Sequence, residues 1–568
     1  MPLRTFVLSA ALAAATVMPV QAQDAGGYLA ARTAIIGSDF AEAAQYFSRA
    51  LARDPGNPTL LENAVTAYVG LGDMERAVPV ARRLIQTGTN SQLAGLVLFA
   101  DAARTGKWDT IQSDIDAGLT VGPLFDGLTR AWSLVGEGRM SEALAAFDDV
   151  GANQGVEAFG LYHKALALAS VGDFEGAAEI FSGESGNTIR LTTRGLVAYA
   201  EVLSQLERNA DAIELIAATF GTNLDPFLED VKARLEAGET LAFETVRTPE
   251  DGLAEVYFSI ASALQGEAQE TYTLLYSRMA TVLRPDHIDA LLMSAELLEA
   301  LERYDLATEV YDTVPRGDPS FHAAELGRAE ALRRSGREDA AIEVLRQLTK
   351  SHGHLPLIHV TLADTLRGLE EFEASIKPYN DALALIDEPD EQHWIIFFAR
   401  GISHERTDQW EKAEADFRRA LELQPEQPQV MNYLGYSFLE MQTNLDEALD
   451  LIERAVALRP DSGFIIDSLG WGLYRLGRYQ EAVAHMEKAV ELMPIDPVVN
   501  DHLGDVYWAV GRGREAEFQW HRALSFIDHE DASGDIDPDR VRRKLEVGLD
   551  IVLQEEGAPP LRVANDDG

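Results

Sequence analysis

The stretch that decides the fold runs from Asp467-Ser468-Leu469-Gly470-Trp471-Gly472-Leu473-Tyr474-Arg475 through Gly477-Arg478-Tyr479, Ala482, Met486, Ala489 and Pro494. It continues with His502-Leu503-Gly504-Asp505-Val506-Tyr507, Gly511, Ala516, Trp520 and Ala523. Gly504 follows Gly470 by 34 residues. One step earlier the same pattern gives Leu434-Gly435, Phe438, Ala448, Ile452, Ala455 and Pro460, and before that Gly401, His404, Ala413, Phe417, Ala420 and Pro425. Each copy holds two apolar stripes at helical spacing, such as Leu469, Leu473 and Leu476, then Ala482, Met486 and Ala489. Small residues at Gly470 and Ala482 let the two helices approach closely. Asp54-Pro55, Arg459-Pro460-Asp461 and Asp496-Pro497 supply the stops and caps between copies.

The small residue of the first helix can be followed back through the chain, at Ala31, Val65, Phe99, Ala131, Ala165, Ala200, Ala261, Ala295, Ala329, Ala363, Gly401, Gly435, Gly470 and Gly504. Most steps are 34 or 35 residues; the exceptions are 32 (Phe99 to Ala131), 38 (Ala363 to Gly401) and 61 (Ala200 to Ala261). Val65 and Phe99 are poor substitutes for a small residue and predict looser helix pairs there. This pattern resembles the tetratricopeptide repeat, in which a large residue, Leu-Gly, an aromatic, Ala, a large residue, Ala and Pro recur over ~34 residues. The fold expected is all-α, a right-handed superhelical solenoid of antiparallel helix pairs. No pair buries its apolar face alone, so neighbours must stack.

The step of 61 residues marks a break. Asp225-Pro226 opens an extra helix through about Gly238, and Thr248-Pro249-Glu250-Asp251 reads as an N-cap with proline at the first helical position. The organisation expected is a leader over 1–22, a first array over 23–222, an insert over 223–248, a second array over 249–529, and an acidic loop, capping helix and flexible tail over 530–568. One continuous solenoid with a helical insertion fits the break equally well. Asp537-Pro538 starts the last helix, which carries Arg542, Arg543 and Lys544; Glu555 to Gly568 reads as disordered.

Lys and Arg number 48 against 93 Asp and Glu, a formal charge of −45. That charge repels phosphate backbones and anionic head groups and argues against a nucleic-acid partner. There is no cysteine, which excludes disulfides, thiol catalysis, zinc–thiolate sites and a lipid anchor on Cys. Arg4, the apolar run Phe6–Val17, Pro19 and Val20-Gln21-Ala22 read as a secretory signal peptide cut after Ala22, which predicts a periplasmic or secreted protein. No later stretch is long and apolar enough to span a membrane.

Catalytic signatures are missing: no P-loop, GxGxxG, GxSxG or HExxH. His352, His354 and His359 cluster at a Gly-Pro turn without a fourth ligand. The acidic run Asp528 to Asp539 fails the EF-hand spacing. Ser185 lies in Gly183-Glu184-Ser185-Gly186, a turn between helices. The expectation is a non-enzymatic protein with no cofactor and no metal.

In tetratricopeptide arrays the first helix of each pair lines the inner groove. The stripe offset by one residue from the packing stripe gives Asn432, Tyr436 and Leu439 in one repeat. It gives Asp467, Trp471 and Tyr474 in the next, and Asp501, Asp505 and Trp508 in the last. Aromatics beside acids suit a protein or peptide hot spot and favour a basic partner. Asn432, Asp467, Asp501 and Asp505 stand where carboxylate-clamping arrays carry Lys and Asn; without cations there, this groove is not expected to clamp a terminal carboxylate.

The block Asn432-Tyr433-Leu434-Gly435-Tyr436, Leu445-Asp446-Glu447-Ala448, Asp467-Ser468-Leu469-Gly470-Trp471, Tyr474-Arg475 and His502-Leu503-Gly504-Asp505 is more particular. It looks like a family of exported proteobacterial tetratricopeptide proteins. One branch includes a lipoprotein adaptor of a carboxyl-terminal processing protease that helps to degrade peptidoglycan hydrolases. The resemblance covers roughly residues 395–525 and implies a periplasmic scaffold joining a protease to its substrates, with cell-wall hydrolases among the partners. This chain lacks the lipobox cysteine, which puts tethering in doubt. The other readings are a scaffold for envelope or export machinery, a self-assembling solenoid, and a hydrolase or metal-dependent enzyme hidden in degenerate repeats.

Overall fold

The computed structural model describes residues 25–152, 155–183, 189, 191–221, 224–527 and 536–561. The proposed leader, Ser185 and most of the Asp528–Asp539 run lie outside the described residues. The described residues form thirty-one α-helices and one short 3-10 helix, with no strand. The fold is an all-α stack of tetratricopeptide-type helix pairs.

Each of the fourteen small-residue positions lies in the first helix of a pair, and each is buried. The four glycines show why the position matters. A Cβ on Gly401 would sit 2.6 Å from the Phe417 ring, and one on Gly435 2.8 Å from Ile452. At Gly470 it would strike Met486, and at Gly504 the Trp520 indole. Phe417, Ile452, Met486 and Trp520 are the large residues of the second helices, so each glycine is the socket for its partner helix. Val65 and Phe99 are wholly buried too, and Phe99 stacks near Phe125 of the following repeat at 6.3 Å.

The caps fall where the sequence puts them. Thr248 accepts the amide of Asp251 at 3.2 Å, Asp225 that of Leu228 at 2.8 Å and Asp496 that of Val499 at 3.0 Å. The proline after each of these residues opens its helix, where a missing N–H leaves nothing unsatisfied.

The chain divides into two compact units between Leu348 and Thr349. The array boundary expected at 249 therefore falls inside the first unit. The reason is the path of the insert. After the Pro226–Glu236 helix and a turn at Ala237–Gly238, residues 239–248 cross the Thr193–Gln205 helix without forming a helix or strand. Glu201 accepts the backbone amides of Glu244 and Thr245 at 3.2 Å each, and Ser204 Oγ accepts the Leu241 amide at 2.9 Å. Arg284 donates to the carbonyls of Thr245 and Glu244 at 2.7 and 3.1 Å.

The crossing delivers the Pro249–Leu264 and Glu270–Leu283 helices onto the first helices of the preceding repeats. Gly252 lies flat against the Trp132 ring, where no larger residue fits. Tyr257 donates its hydroxyl to the Leu96 carbonyl at 2.5 Å, and Arg278 reaches the Gly70 carbonyl at 3.3 Å. Trp132 donates to His163 Nδ1 at 3.1 Å, and His163 Nε2 meets Ser259 Oγ at 3.1 Å. One apolar core runs from Ala31 to Ala331 through both sets of helices. The helix wall that a partner would use in this unit is thus largely covered by the chain itself.

In the second unit a core runs from Ala413 to Leu549. The last helix expected from Asp537-Pro538 is Pro538–Val547, and a further helix, Leu549–Glu555, follows it across Gly548 at φ +85°. This differs from a tail disordered from Glu555: Leu561 still packs on the core, and only 562–568 lie outside the described residues.

Candidate functional site

The eight groove candidates sit on three successive first helices, Pro428–Glu440, Gly463–Arg475 and Pro497–Ala509. The structure separates them into two groups.

The first group surrounds Trp471. Its indole, half-buried, stacks on Tyr474 at 4.8 Å and 16° and on His502 at 3.9 Å and 11°. Its Nε1 donates to Glu440 at 3.1 Å, and Arg475 holds the same carboxylate at 3.1 Å. His502 Nδ1 pairs with the buried Asp467 at 3.0 Å. Burial opposes a charge on His502, but Asp467 and then Asp501 and Asp505 outweigh it, so the imidazole is held above its ordinary pKa. Tyr436 is half-buried one repeat earlier; Asn432 is buried beneath it, and its Oδ1 has no hydrogen-bond partner. Tyr474 is also buried. The result is an aromatic ladder across two repeats, edged by Glu440, Arg475 and Asp467.

The second group is engaged by the chain itself. Lys544, wholly buried on the Pro538–Val547 helix, donates to Asp501 at 2.8 Å and to Asp505 at 2.6 Å. Asp505 also accepts the Trp520 indole N–H at 2.9 Å. Burial raises the Asp501 carboxyl above its ordinary pKa, and Lys544 pulls the other way. Trp508 donates to Asp550 at 2.9 Å, and Gly548 lies against its ring. Asp501, Asp505 and Trp508, expected to face a partner, instead seat the C-terminal helices.

His502, Glu440 and Arg475 were not among the candidates. His502 stands two residues before Gly504, on the neighbouring stripe, and its spacing from Asp467 was the available signal. Lys544 was legible too: it follows the buried Val541 by three residues, on the inward face of an amphipathic helix. The cation-free groove of the sequence reading therefore contains one lysine, already paired.

The three histidines at the Gly-Pro turn do not converge. His359 Nε2 meets the Gly353 carbonyl at 2.9 Å, and His352 Nδ1 meets Ser351 at 2.9 Å. Among the described residues no group of three His, Asp or Glu side chains is placed to hold a metal ion, and no helix is long and apolar enough to cross a membrane.

Stacked helix pairs with a small-for-large socket and an aromatic inner wall define a repeat protein of the protein-binding class. Tetratricopeptide repeat models match residues 34–97, 292–356, 398–463 and 465–496, and the chain is a tetratricopeptide repeat protein. It is 27% identical over 180 residues to a TPR repeat-containing protein of Pseudomonas aeruginosa, covering 31% of this chain and 29% of that one. It is 33% identical over 127 residues to the lipoprotein NlpI homolog of Haemophilus influenzae, covering 22% of this chain and 40% of that one. The chain thus matches well under two thirds of the length of either relative. Among solved structures, the APC/C hetero-tetramer Cut9–Hcn1 aligns over 93% of this chain and 96% of that one, at 14% identity and a TM-score of 0.38. YrrB, a TPR protein with an unusual peptide-binding site, aligns over 33% of this chain and 95% of that one, at 20% identity and a TM-score of 0.27.

Proposed function

We propose that this protein is an exported, non-catalytic adaptor that captures protein partners on the second unit and presents substrates to a periplasmic processing protease, cell-wall hydrolases being the substrate class. The observation that carries the reading is the Tyr474–Trp471–His502 ladder edged by Glu440 and Asp467. A rigid aromatic with a polar rim is the usual form of a hot spot, because it buries much area with little loss of side-chain freedom. Trp471 and Tyr436 make the contact; Asn432, Asp467 and Tyr474 form its floor; Asp501, Asp505 and Trp508 fix the C-terminal helices beside it. The likeness to the lipoprotein NlpI homolog supports an envelope adaptor. The apolar stretch Phe6–Val17 supports export and a periplasmic location.

The test is affinity capture from a periplasmic extract, read by mass spectrometry, with the full chain and its Trp471→Ala/Tyr436→Ala variant side by side. Capture of a processing protease or a wall hydrolase by the wild type, lost in a variant of unchanged helicity, supports the reading. Identical capture by both proteins, or capture of neither class, defeats it.

A further inference from the structure

The second unit gathers exposed apolar side chains on one edge. Fourteen large apolar residues stand exposed among the described residues, and seven of them lie where one helix pair of this unit passes to the next. Leu357, Ile395 and Phe464 are each the second residue of a first helix, Pro356–Gly368, Trp394–Glu405 and Gly463–Arg475. Leu385, Leu458 and Leu492 end, or directly follow, a second helix. Ile495 lies in the loop after Leu492 and is 71% exposed.

Antiparallel pairing puts the start of each first helix and the end of each second helix at the same edge. The Leu492 Cβ lies 3.1 Å from the place a Cβ on Gly463 would take, so the end of this second helix borders the start of its own first helix, beside Phe464. Gln429 interrupts the row on the Pro428–Glu440 helix, and Val498 continues it, half-buried, on Pro497–Ala509. In the first unit the same helix position holds residues such as Thr59, Arg194 and Asp289, and no exposed large apolar side chain stands there among the described residues.

An exposed apolar side chain in a first turn gains nothing locally, because that turn favours polar and acidic residues. Neighbouring apolar side chains that their own chain leaves uncovered mark a contact surface. The surrounding charge indicates for what. The loops at this edge, 386–393, 424–427, 459–462 and 493–496, hold seven carboxylates and one arginine, Arg459, which pairs with Asp461 at 3.6 Å. Asp390 holds His393 at 2.7 Å. Asp387, Glu388, Glu391 and Glu426 are exposed and form no ion pair among the described residues.

Such an edge repels anionic head groups, and a second copy would bring the same seven carboxylates against it. A cationic segment with an apolar stripe satisfies both the acids and the apolar row. The Pro428–Glu440, Gly463–Arg475 and Pro497–Ala509 helices pack against one another in turn. Packed helices lie about 8–10 Å apart, and residues i and i+7 of an α-helix are about 10.5 Å apart along its axis. One stripe of a helix therefore meets successive first helices.

We propose that this edge of the second unit docks a basic amphipathic helix of a partner protein. Its apolar stripe covers Ile395, Phe464, Leu492 and Ile495, and its Lys and Arg side chains face the loop carboxylates. The surface is distinct from the Trp471 ladder on the inner wall, and the inference does not depend on that ladder.

The test is fluorescence anisotropy on the full chain at ~0.15 M salt, with labelled peptides of about 18 residues. One peptide is built of Leu and Lys with the leucines at helical spacing. A second has the same residues shuffled so that no stripe forms, and a third keeps the stripe with Glu in place of Lys. The striped basic peptide is expected to bind at least about tenfold tighter than either of the others. Ile395→Ser/Phe464→Ser/Ile495→Ser changes only exposed side chains and is expected to weaken that binding at least about tenfold at unchanged helicity. Should this variant misfold, Asp387→Asn/Glu388→Gln/Glu391→Gln removes exposed charge alone and is expected to weaken binding about threefold. Trp471→Ala/Tyr436→Ala is expected to leave it unchanged. Equal binding of striped and shuffled peptides, no loss in the edge variants, or loss in the ladder variant overturns the proposal. So does a dimer of the peptide-free chain that the edge variant abolishes, since a second copy would then be the occupant.

Discussion

The two units are built from the same helix pair and end with their inner walls in different states. In the first, the Pro249–Leu264 and Glu270–Leu283 helices cover the wall and share its core. In the second, among the described residues, the C-terminal helices seat on the last repeat, through Lys544 and Trp508. The same architecture therefore gives a closed frame in one unit and an open surface in the other. What decides between them is whether a later part of the chain supplies matching apolar area. Repeat identity alone says nothing about availability.

Replacing Trp132 with Ala strikes the closed wall hardest. It removes a fully buried ring packed on Gly252 and Phe147 and leaves His163 Nδ1 without its donor. The expected loss is about 3–5 kcal/mol, read by denaturant unfolding. If the loss is under about 1 kcal/mol, the cover on the first unit is loosely seated and the contrast fails.

Lys544→Ala attacks the smaller cover. It leaves Asp501 buried without its lysine and Asp505 with only the Arg540 cation, 3.8 Å away, and losses of about 3–5 kcal/mol are usual when one partner of a buried pair is removed. The effect should be confined to the second unit, with hydrogen exchange rising in Pro538–Val547 and Pro497–Ala509 while Trp132 and its neighbours stay protected. Unchanged exchange in both helices would count against the buried pair.

The two units also differ in what they ask of a histidine. Burial pushes His163 down to about 4 from an ordinary 6.5. A depressed pKa means that the unfolded chain binds the proton more readily. The His163 contribution is therefore complete above pH ~6.5 and is lost as pH falls toward about 4, an effect on the order of 3 kcal/mol. His502 has the opposite sign: its raised pKa gives a contribution that is complete below pH ~6.5 and is lost as pH rises through the folded value. Mild acidification should therefore loosen the first unit around His163 while the His502–Asp467 pair holds. Exchange measured at pH 7.5 and pH 5 checks this, and a uniform response in the two units rejects it.

The smallest effect falls on the rim of the open wall. Glu440→Gln weakens the contacts to Trp471 and Arg475 at an exposed site and should change stability by less than about 1 kcal/mol. If it also lowers partner capture, the rim contributes to recognition as well as to the ladder.

The repeat was legible because its physics is local. A helix pair closes most tightly where a small residue faces a large one, so Gly401, Gly435, Gly470 and Gly504 announced themselves, and the register carried back to Ala31. The cover on the first unit was not legible. Residues 249–283 carry the same helical stripes as any other pair, with Ala261 in the usual small position, and nothing periodic records that the chain turns back onto Gly70, Leu96 and Trp132. Only the long step before Ala261 hinted at it. The groove candidates met the same difficulty in milder form. The stripe rule put Trp471, Tyr474, Asp501, Asp505 and Trp508 on one face, but the occupancy of that face depends on helices about 40 residues further along the chain.

The glycine sockets imply an asymmetry in how copies of this repeat can drift. One kind of opening accepts a phenylalanine, an isoleucine, a methionine and a tryptophan, at Phe417, Ile452, Met486 and Trp520. In these four pairs the receiving position leaves no room for a Cβ, whereas the inserted one holds four unrelated shapes. After a duplication, the second helix of a pair is therefore free to explore large side chains, and each choice tilts the pair differently. A row of copies can thus acquire varied curvature, and with it varied surfaces, while the glycine that closes these four pairs stays the same.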